Sequence, residues 1–190
     1  MKWKLEAIIA FVEARLSVKR FTHVKGVVET ARTLAKRHGV LVADAELAAW
    51  LHDVAKEQNS EQAKRMLKLS EEHAYLAHSD KIWHAPLGAV MAKETFGIEQ
   101  VDILNAIKFH TTGRVGMSDL EKVIFVADYT EPHRTFAGCE AVRALWGDLD
   151  AAVCEILQQK LAKVKAKDVE CVSHPDTVLA YAYYSKKVGS

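Results

Sequence analysis

Asp44-Ala45-Glu46-Leu47-Ala48-Ala49-Trp50-Leu51-His52-Asp53-Val54-Ala55-Lys56 carries the pattern around which the rest of the chain is organised. Leu47, Ala48 and Leu51 recur at helical spacing and Asp44 is a good N-cap. The stretch therefore predicts a third helix with His52 and Asp53 on its last turn. Neighbouring helical residues project about 100° apart. A long imidazole and a short carboxylate at adjacent positions thus reach one ion between them, and the second carboxylate oxygen stays free for another. Lys56 follows four residues after His52 and projects from the same side. Two metal-type ligands beside a cation suit a centre that handles phosphate. Among nine histidines one such dipeptide decides little by itself, so its weight depends on ligands arriving from other helices.

Outward from that stretch the chain reads as helices. Leu5, Ile8, Ile9, Val12 and Leu16 stripe a first one; Val24, Val27, Val28, Ala31, Leu34 and Ala35 stripe a second, stopped at His38-Gly39. His23 falls near the start of that second helix, with Arg20 just before it. Asn59 or Ser60 caps a short fourth helix, and residues 70–83 read as a loop. Pro86 suits the first turn of a helix that ends at Gly97. Val101, Leu104 and Ile107 lead to His110 and the loop Thr111-Thr112-Gly113-Arg114. Ser118-Asp119-Leu120-Glu121 has the form of a capping box and opens a helix reaching Asp128. Asp148 caps a long helix through Val164, Asp168 to Val172 is the one strand-like stretch, and Pro175 starts a last helix. The expected fold is all-α, a single-domain helical bundle.

Composition narrows the function classes. The chain has 190 residues, 49% hydrophobic and 27% charged, with a formal net charge of +1. That is ordinary for a globular protein and gives no bulk electrostatic reason for a nucleic-acid partner. No stretch approaches the ~20 apolar residues of a membrane helix, and the N-terminal residues do not read as a secretory signal. Cys139, Cys154 and Cys171 lack metal-type or disulfide-framework spacing, which suits a reducing cytoplasm.

His23, His52, Asp53, His84, His110 and Asp128 each fall at or near an expected helix end, where a bundle is able to gather them at one mouth. Imidazoles and carboxylates without thiolates suit iron, manganese, cobalt or zinc in a hydrolytic site. Blander readings exist: His23 as a helix-start residue, His84 as a surface cap, His110 as a partner of its own loop. Asp128 is harder to dismiss, because it interrupts the apolar run Val123 to Ala127 and is costly to bury unpaired. His38, His73 and His78 read as surface or capping residues.

At these residues the sequence resembles the HD-domain metal phosphohydrolases, with their H…HD…D pattern. Within them it is most similar to the YqeK type, the symmetrical diadenosine tetraphosphate hydrolases of bacteria. The likeness runs from about Phe21 to Val178 and is most specific at 51–56, 83–89, 110–114 and 122–134. It implies one domain over 1–190, with a metal-site core at about 20–135 and C-terminal helices over 136–190 flanking the nucleotide. It implies that His23, His52, Asp53 and Asp128 hold a divalent ion, iron foremost. His84 and His110 then hold a second ion bridged through Asp53, or touch the substrate phosphates. By the same match Arg20, Lys56 and Arg134 meet the phosphates, and Cys171, Val172, Ser173, His174, Pro175 and Asp176 flank a nucleoside. His133 stands where the family more usually has glycine, and Ala180-Tyr181-Ala182 replaces a more common Ala-Arg-Asn. Both departures bear on substrate choice and neither touches the metal set.

The resemblance implies a small-molecule dinucleoside polyphosphate substrate, with no nucleic acid or membrane partner and a homodimer left open. The expected chemistry is attack by a metal-bound hydroxide, positioned by Asp53 and Asp128, on an inner phosphorus, splitting diadenosine tetraphosphate into two ADP. Two rival readings remain at this point. One is another HD-domain activity, as a nucleoside monophosphatase or cyclic-nucleotide phosphodiesterase; the other is a non-catalytic nucleotide-binding module.

Overall fold

The computed structural model describes residues 4–165 and 174–189. Among them run ten α-helices and no strand: α1 (Leu5–Glu13), α2 (Val18–His38), α3 (Val42–Leu51), α4 (Ser60–Leu69), α5 (His84–Phe96), α6 (Val101–Phe109), α7 (Asp119–Thr130), α8 (Cys139–Ala144), α9 (Leu149–Lys165) and α10 (Pro175–Val188). The all-α expectation is met. The strand-like Asp168 to Val172, and with it Cys171 and Ser173 of the nucleoside-flanking segment, lies outside the described residues. No described helix is long and apolar enough to cross a membrane.

The helix at the centre is α7. Leu120, Val123, Ile124, Phe125, Val126 and Ala127 are all buried, and the five-residue apolar run from Val123 to Ala127, more than one full turn, presents apolar groups on every face, as a helix inside a bundle does. It packs on α2, α3, α6, α8 and α9. Burying one large aliphatic side chain contributes about 1.5–3 kcal/mol. A handful of them therefore offsets the several kcal/mol that drawing an ionised group inward costs. Helix α3 is built the same way, with Ala45 and Leu47 to Leu51 buried. Their C-terminal ends, and that of α6, deliver Asp128, His52 with Asp53, and His110. Gly88 lets α5 lie close across the end of α3, since a Cβ there would stand 3.3 Å from Leu51 O and 3.2 Å from Ile107 Cγ2. That close approach carries His84, one turn earlier, to the same place.

Several boundaries differ from the sequence expectation. Asp44 is not the N-cap of α3: Leu41 holds that position and Asp44 lies in the first turn, where its charge still favours the helix N-terminus. Asp53 lies beyond the last turn of α3, in the turn that follows the C-cap His52. Helix α1 stops at Glu13, so Leu16 joins the core from a turn. Ser17 caps α2, its hydroxyl accepting from Arg20 N, which places Arg20 and the buried His23 inside that helix. Residues 70–83 contain two 3-10 turns, His73–Ala77 and Asp80–Ile82, and α8 carries no stripe that announces it. The Ser118–Glu121 capping box is formed as expected, and the left-handed residues Gly39 and Gly97 end α2 and α5.

Candidate metal centre

His52 and His110 are placed by one local device used twice. Each is the C-cap of its helix, where the last carbonyls lack intrahelical partners. His52 Nδ1–H donates to Ala49 O at 2.6 Å, and His110 Nδ1–H donates to Ile107 O at 2.7 Å. A carbonyl only accepts, so Nδ1 carries the proton and Nε2 presents a lone pair. The two rings meet edge to face with centroids 5.0 Å apart. Three helix C-termini converge here, and their partial negative charge favours a cation.

Asp53 is the hub. Its Oδ2 lies 3.6 Å from His52 Nε2 and 3.7 Å from His23 Nε2, while Oδ1 lies 3.3 Å from His84 Nε2 and 3.6 Å from His110 Nε2. Two ligand groups thus share one carboxylate: His23, His52 and Asp53 on one side, Asp53, His84 and His110 on the other. Asp128 joins the first, its Oδ1 3.1 Å from His23 Nε2. On the second side the Nε2 atoms of His84 and His110 are 3.2 Å apart.

The cations expected on phosphate stand at the edge of this cluster. Arg20 Nη1 donates to Asp53 Oδ2 at 3.0 Å, and Arg134 Nη2 to Asp128 Oδ1 at 3.1 Å. Ser17 N and Oγ both donate to Glu57, tying the start of α2 to the turn after Asp53. Lys56 Nζ reaches His84 Nε2 at 3.2 Å. Burial, with Arg20 and Arg134 nearby, pushes its amine down despite Asp53.

Burial also pushes the His52 imidazole down, to about 4, and His84 well below its ordinary value. For His23 burial acts downward too, but the carboxylates of Asp128, Glu131 and Asp53 outweigh it and the pKa rises. Burial alone would raise both carboxylic acids; the imidazoles of His52, His110 and His84 hold Asp53 well below the usual range, and those of His23, His52 and His110 do so for Asp128. The centre therefore offers the ionised carboxylates of Asp53 and Asp128 together with neutral imidazoles at His52 and His84.

That donor set fits a divalent cation. His52 Nε2 is buried without a hydrogen-bond partner, and leaving such an atom unpaired costs about 1–3 kcal/mol; His23 Nε2, with the ring proton on Nδ1, turns a lone pair toward the Asp128 oxygen 3.1 Å away. An ion between these two nitrogens and the Asp53 and Asp128 oxygens supplies the missing partner, and imidazole with carboxylate is a donor set for iron, manganese, cobalt or zinc.

A family model described as the HD domain matches residues 20–133. The chain belongs to the HD-domain family. Two relatives named "Bis(5'-nucleosyl)-tetraphosphatase, symmetrical" place it further within that family. One, from Bacillus subtilis, is 40% identical over 93% of this chain and 95% of its own length; the other, from Halalkalibacterium halodurans, is 42% identical over 91% and 92%. The HD-domain fold is matched by the crystal structure of a protein from Clostridium acetobutylicum described as a "predicted HD superfamily hydrolase involved in NAD metabolism". It has a TM-score of 0.91 and 31% identity and covers 98% of this chain and 100% of that one.

All six nominated ligands of this HD-domain chain come together, and Arg20, Lys56 and Arg134 stand among them. Of the nucleoside-flanking segment, His174 caps α10 and stacks on Tyr75, ring centroids 5.4 Å apart, with His78 edge-on at 4.2 Å. Pro175 and Asp176 open the same helix. Tyr181 is packed against the core, and His133 is exposed and hydrogen-bonded to Glu131. Two groups escaped the sequence reading. Glu131 is 2% exposed, and its Oε1 accepts from His23 Nδ1 at 3.1 Å; its signal was a carboxylate three residues after Asp128. Lys160 Nζ donates to Thr111 O at 2.6 Å, next to His110, and burial pushes its amine down to about 8.

Proposed function

We propose that the chain hydrolyses diadenosine tetraphosphate at the middle of its phosphate chain, giving two ADP. The observation that carries this reading is the division of Asp53 between two ligand groups, with Arg20, Lys56 and Arg134 around them. The names of the curated relatives support the substrate. In this reading His23, His52, Asp53 and Asp128 hold one divalent ion, with iron the preferred metal. His84 and His110 hold a second or contact phosphate. The chemistry a bound divalent ion supplies is acidification of a water and neutralisation of phosphate charge.

The chain's own residues do the rest. Asp53 and Asp128 stay ionised, so they act as ligands and acceptors rather than proton donors. Arg20 and Arg134 hold those carboxylates in place and present further N–H groups to incoming phosphate oxygens, in the bidentate manner a guanidinium allows. Lys56 adds a point charge beside His84. Together they stabilise the charge that develops on the departing nucleoside diphosphate.

Central cleavage requires a nucleotide half on each side of the reacting phosphorus. A cavity of about 450 Å³ opens on one side, against His23, Arg20 and Arg134. Another of about 250 Å³ opens on the other, against His84, Lys56 and Trp83. His174, Pro175 and Asp176 flank a nucleoside in this reading, and α9 and α10 form one unit with the centre. The thiols of Cys139 and Cys154 are free, which suits work in a reducing cytoplasm.

Chromatography of the products tests the proposal. ADP as sole product is expected; ATP with AMP would rule out central cleavage.

A further inference from the structure

Four histidines face the centre, and three have Nδ1 donating to an oxygen. For His52 and His110 the acceptor is a neutral carbonyl of their own helix. For His23 it is the carboxylate of Glu131, 108 residues away in sequence. Glu131 is itself fixed from every side. Its Oε2 accepts from His133 N at 2.8 Å and lies 3.0 Å from His133 Nδ1. Its carbonyl accepts from Arg134 N at 2.9 Å and from Arg143 Nη2 at 2.9 Å. The carboxylate also occupies the space above Gly26, where a Cβ would stand 2.4 Å from Oε2 and 3.2 Å from His133 Nδ1.

From this geometry we infer that Glu131 is the positioning residue of the centre: it fixes the His23 ring and keeps its proton on Nδ1, so that Nε2 faces Asp53 and Asp128. Gly26 leaves room for the carboxylate, and His133 holds its far oxygen. A carboxylate behind a ligating imidazole orients the ring and raises its basicity, and losing such a partner costs roughly 10–100-fold in metal affinity. A glutamine cannot replace it fully. Both carboxylate oxygens are occupied as acceptors, whereas an amide has one acceptor oxygen; with that oxygen taken by the His133 N–H, its NH2 donates to His23 Nδ1 and displaces the proton to Nε2. The inference rests on the metal reading proposed above for His23.

The test is a titration of Mn2+ into the metal-free full chain, wild type against Glu131→Gln and Gly26→Ala. It is read alongside the imidazole nitrogen NMR signals of His23 and far-UV circular dichroism. Glu131→Gln should weaken Mn2+ binding about 10–100-fold at unchanged helix content, with His23 shifting toward the Nε2–H tautomer. Gly26→Ala keeps the carboxylate but displaces it, and should reproduce both effects. Wild-type Mn2+ affinity in both variants, or a His23 that keeps its Nδ1 proton in Glu131→Gln, overturns the inference. Glu131-dependent metal uptake by a protein that leaves diadenosine tetraphosphate intact would support it and sink the hydrolase reading instead.

Discussion

The two sides of the Asp53 carboxylate are prepared unequally. On one, His23 leans on Glu131, His52 on the carbonyl of Ala49, and Asp128 on Arg134. On the other, His110 leans on Ile107 O, but His84 has its ring nitrogens 3.3 and 3.2 Å from the Lys56 ammonium and 3.2 Å from the Nε2 of His110. Its oxygen neighbour is the shared Asp53 Oδ1, 3.3 Å from Nε2, and a donor, the Lys56 ammonium, stands against the ring where the other histidines have an acceptor on Nδ1. The ligand types are alike on both sides; what differs is how firmly each is aimed before anything binds. In the function proposed above, the first side would hold an ion tightly, and the second would exchange ion, phosphate and lysine around a less constrained ring.

Breaking the shared element should have the largest effect. Asp53→Asn removes an anionic ligand from both sides at once and should lower the rate by about three orders of magnitude, some 4 kcal/mol, with metal content falling towards zero. His84→Ala should separate the sides. Binding of the tighter ion is expected to be unchanged, the weaker phase of a metal titration lost, and turnover reduced about a hundredfold. Equal loss of both phases would show that the two sides are not independent.

Lys56→Ala sharpens the contrast further. It should slow turnover about tenfold or more by removing a charge from the phosphates, while metal content is not lowered. The smallest effect belongs to a charge cluster away from the centre. Asp150 Oδ1 lies 2.8 Å from Lys122 Nζ and Oδ2 lies 2.6 Å from Lys187 Nζ, so each oxygen already has a protein cation. Burial would raise this acid's pKa, but the two lysines outweigh it and hold it below the usual value. A depressed folded pKa stabilises the protein above the unfolded value and loses that contribution as pH falls through the folded one. Asp150→Asn should therefore cost about 1 kcal/mol at neutral pH, leave metal uptake alone, and show a Tm gap to wild type that closes on acidification below about pH 4.

The unequal sides also mark how far the sequence was legible. Local rules served well: glycine stops at Gly39 and Gly97, the Ser118 capping box, and the all-helical pattern each depend on residues a few positions apart. The six ligands were nominated because their types and helix-end placement are visible in one dimension; Arg20 and Arg134 came from the family resemblance, and Lys56 from that and its spacing to His52. Their division across Asp53 was implied by the family resemblance, whereas the packing that produces it, α5 crossing α3 over Gly88, is visible only in the structure. Glu131 was quoted within a motif but given no role, because its partner His23 is brought to it only by the packing of α2 on α7. Lys160 continues the buried stripe of Ile156 and Leu157 on α9, and its partner Thr111 is likewise brought to it only by packing. The start of α3 was misplaced because a good capping residue, Asp44, lies one turn inside the helix that Leu41 begins.

The central claim is that these helix ends form an Asp53-centred metal site on which hydrolysis depends. Metal analysis of protein purified without oxygen, set beside Asp53→Asn and paired with a turnover assay, tests it most directly. The account predicts a stoichiometric divalent metal, iron foremost, in the wild type and almost none in the variant, with activity lost on chelation and restored by the ion. Metal-free wild-type protein that cleaves diadenosine tetraphosphate at full rate in chelator would contradict it.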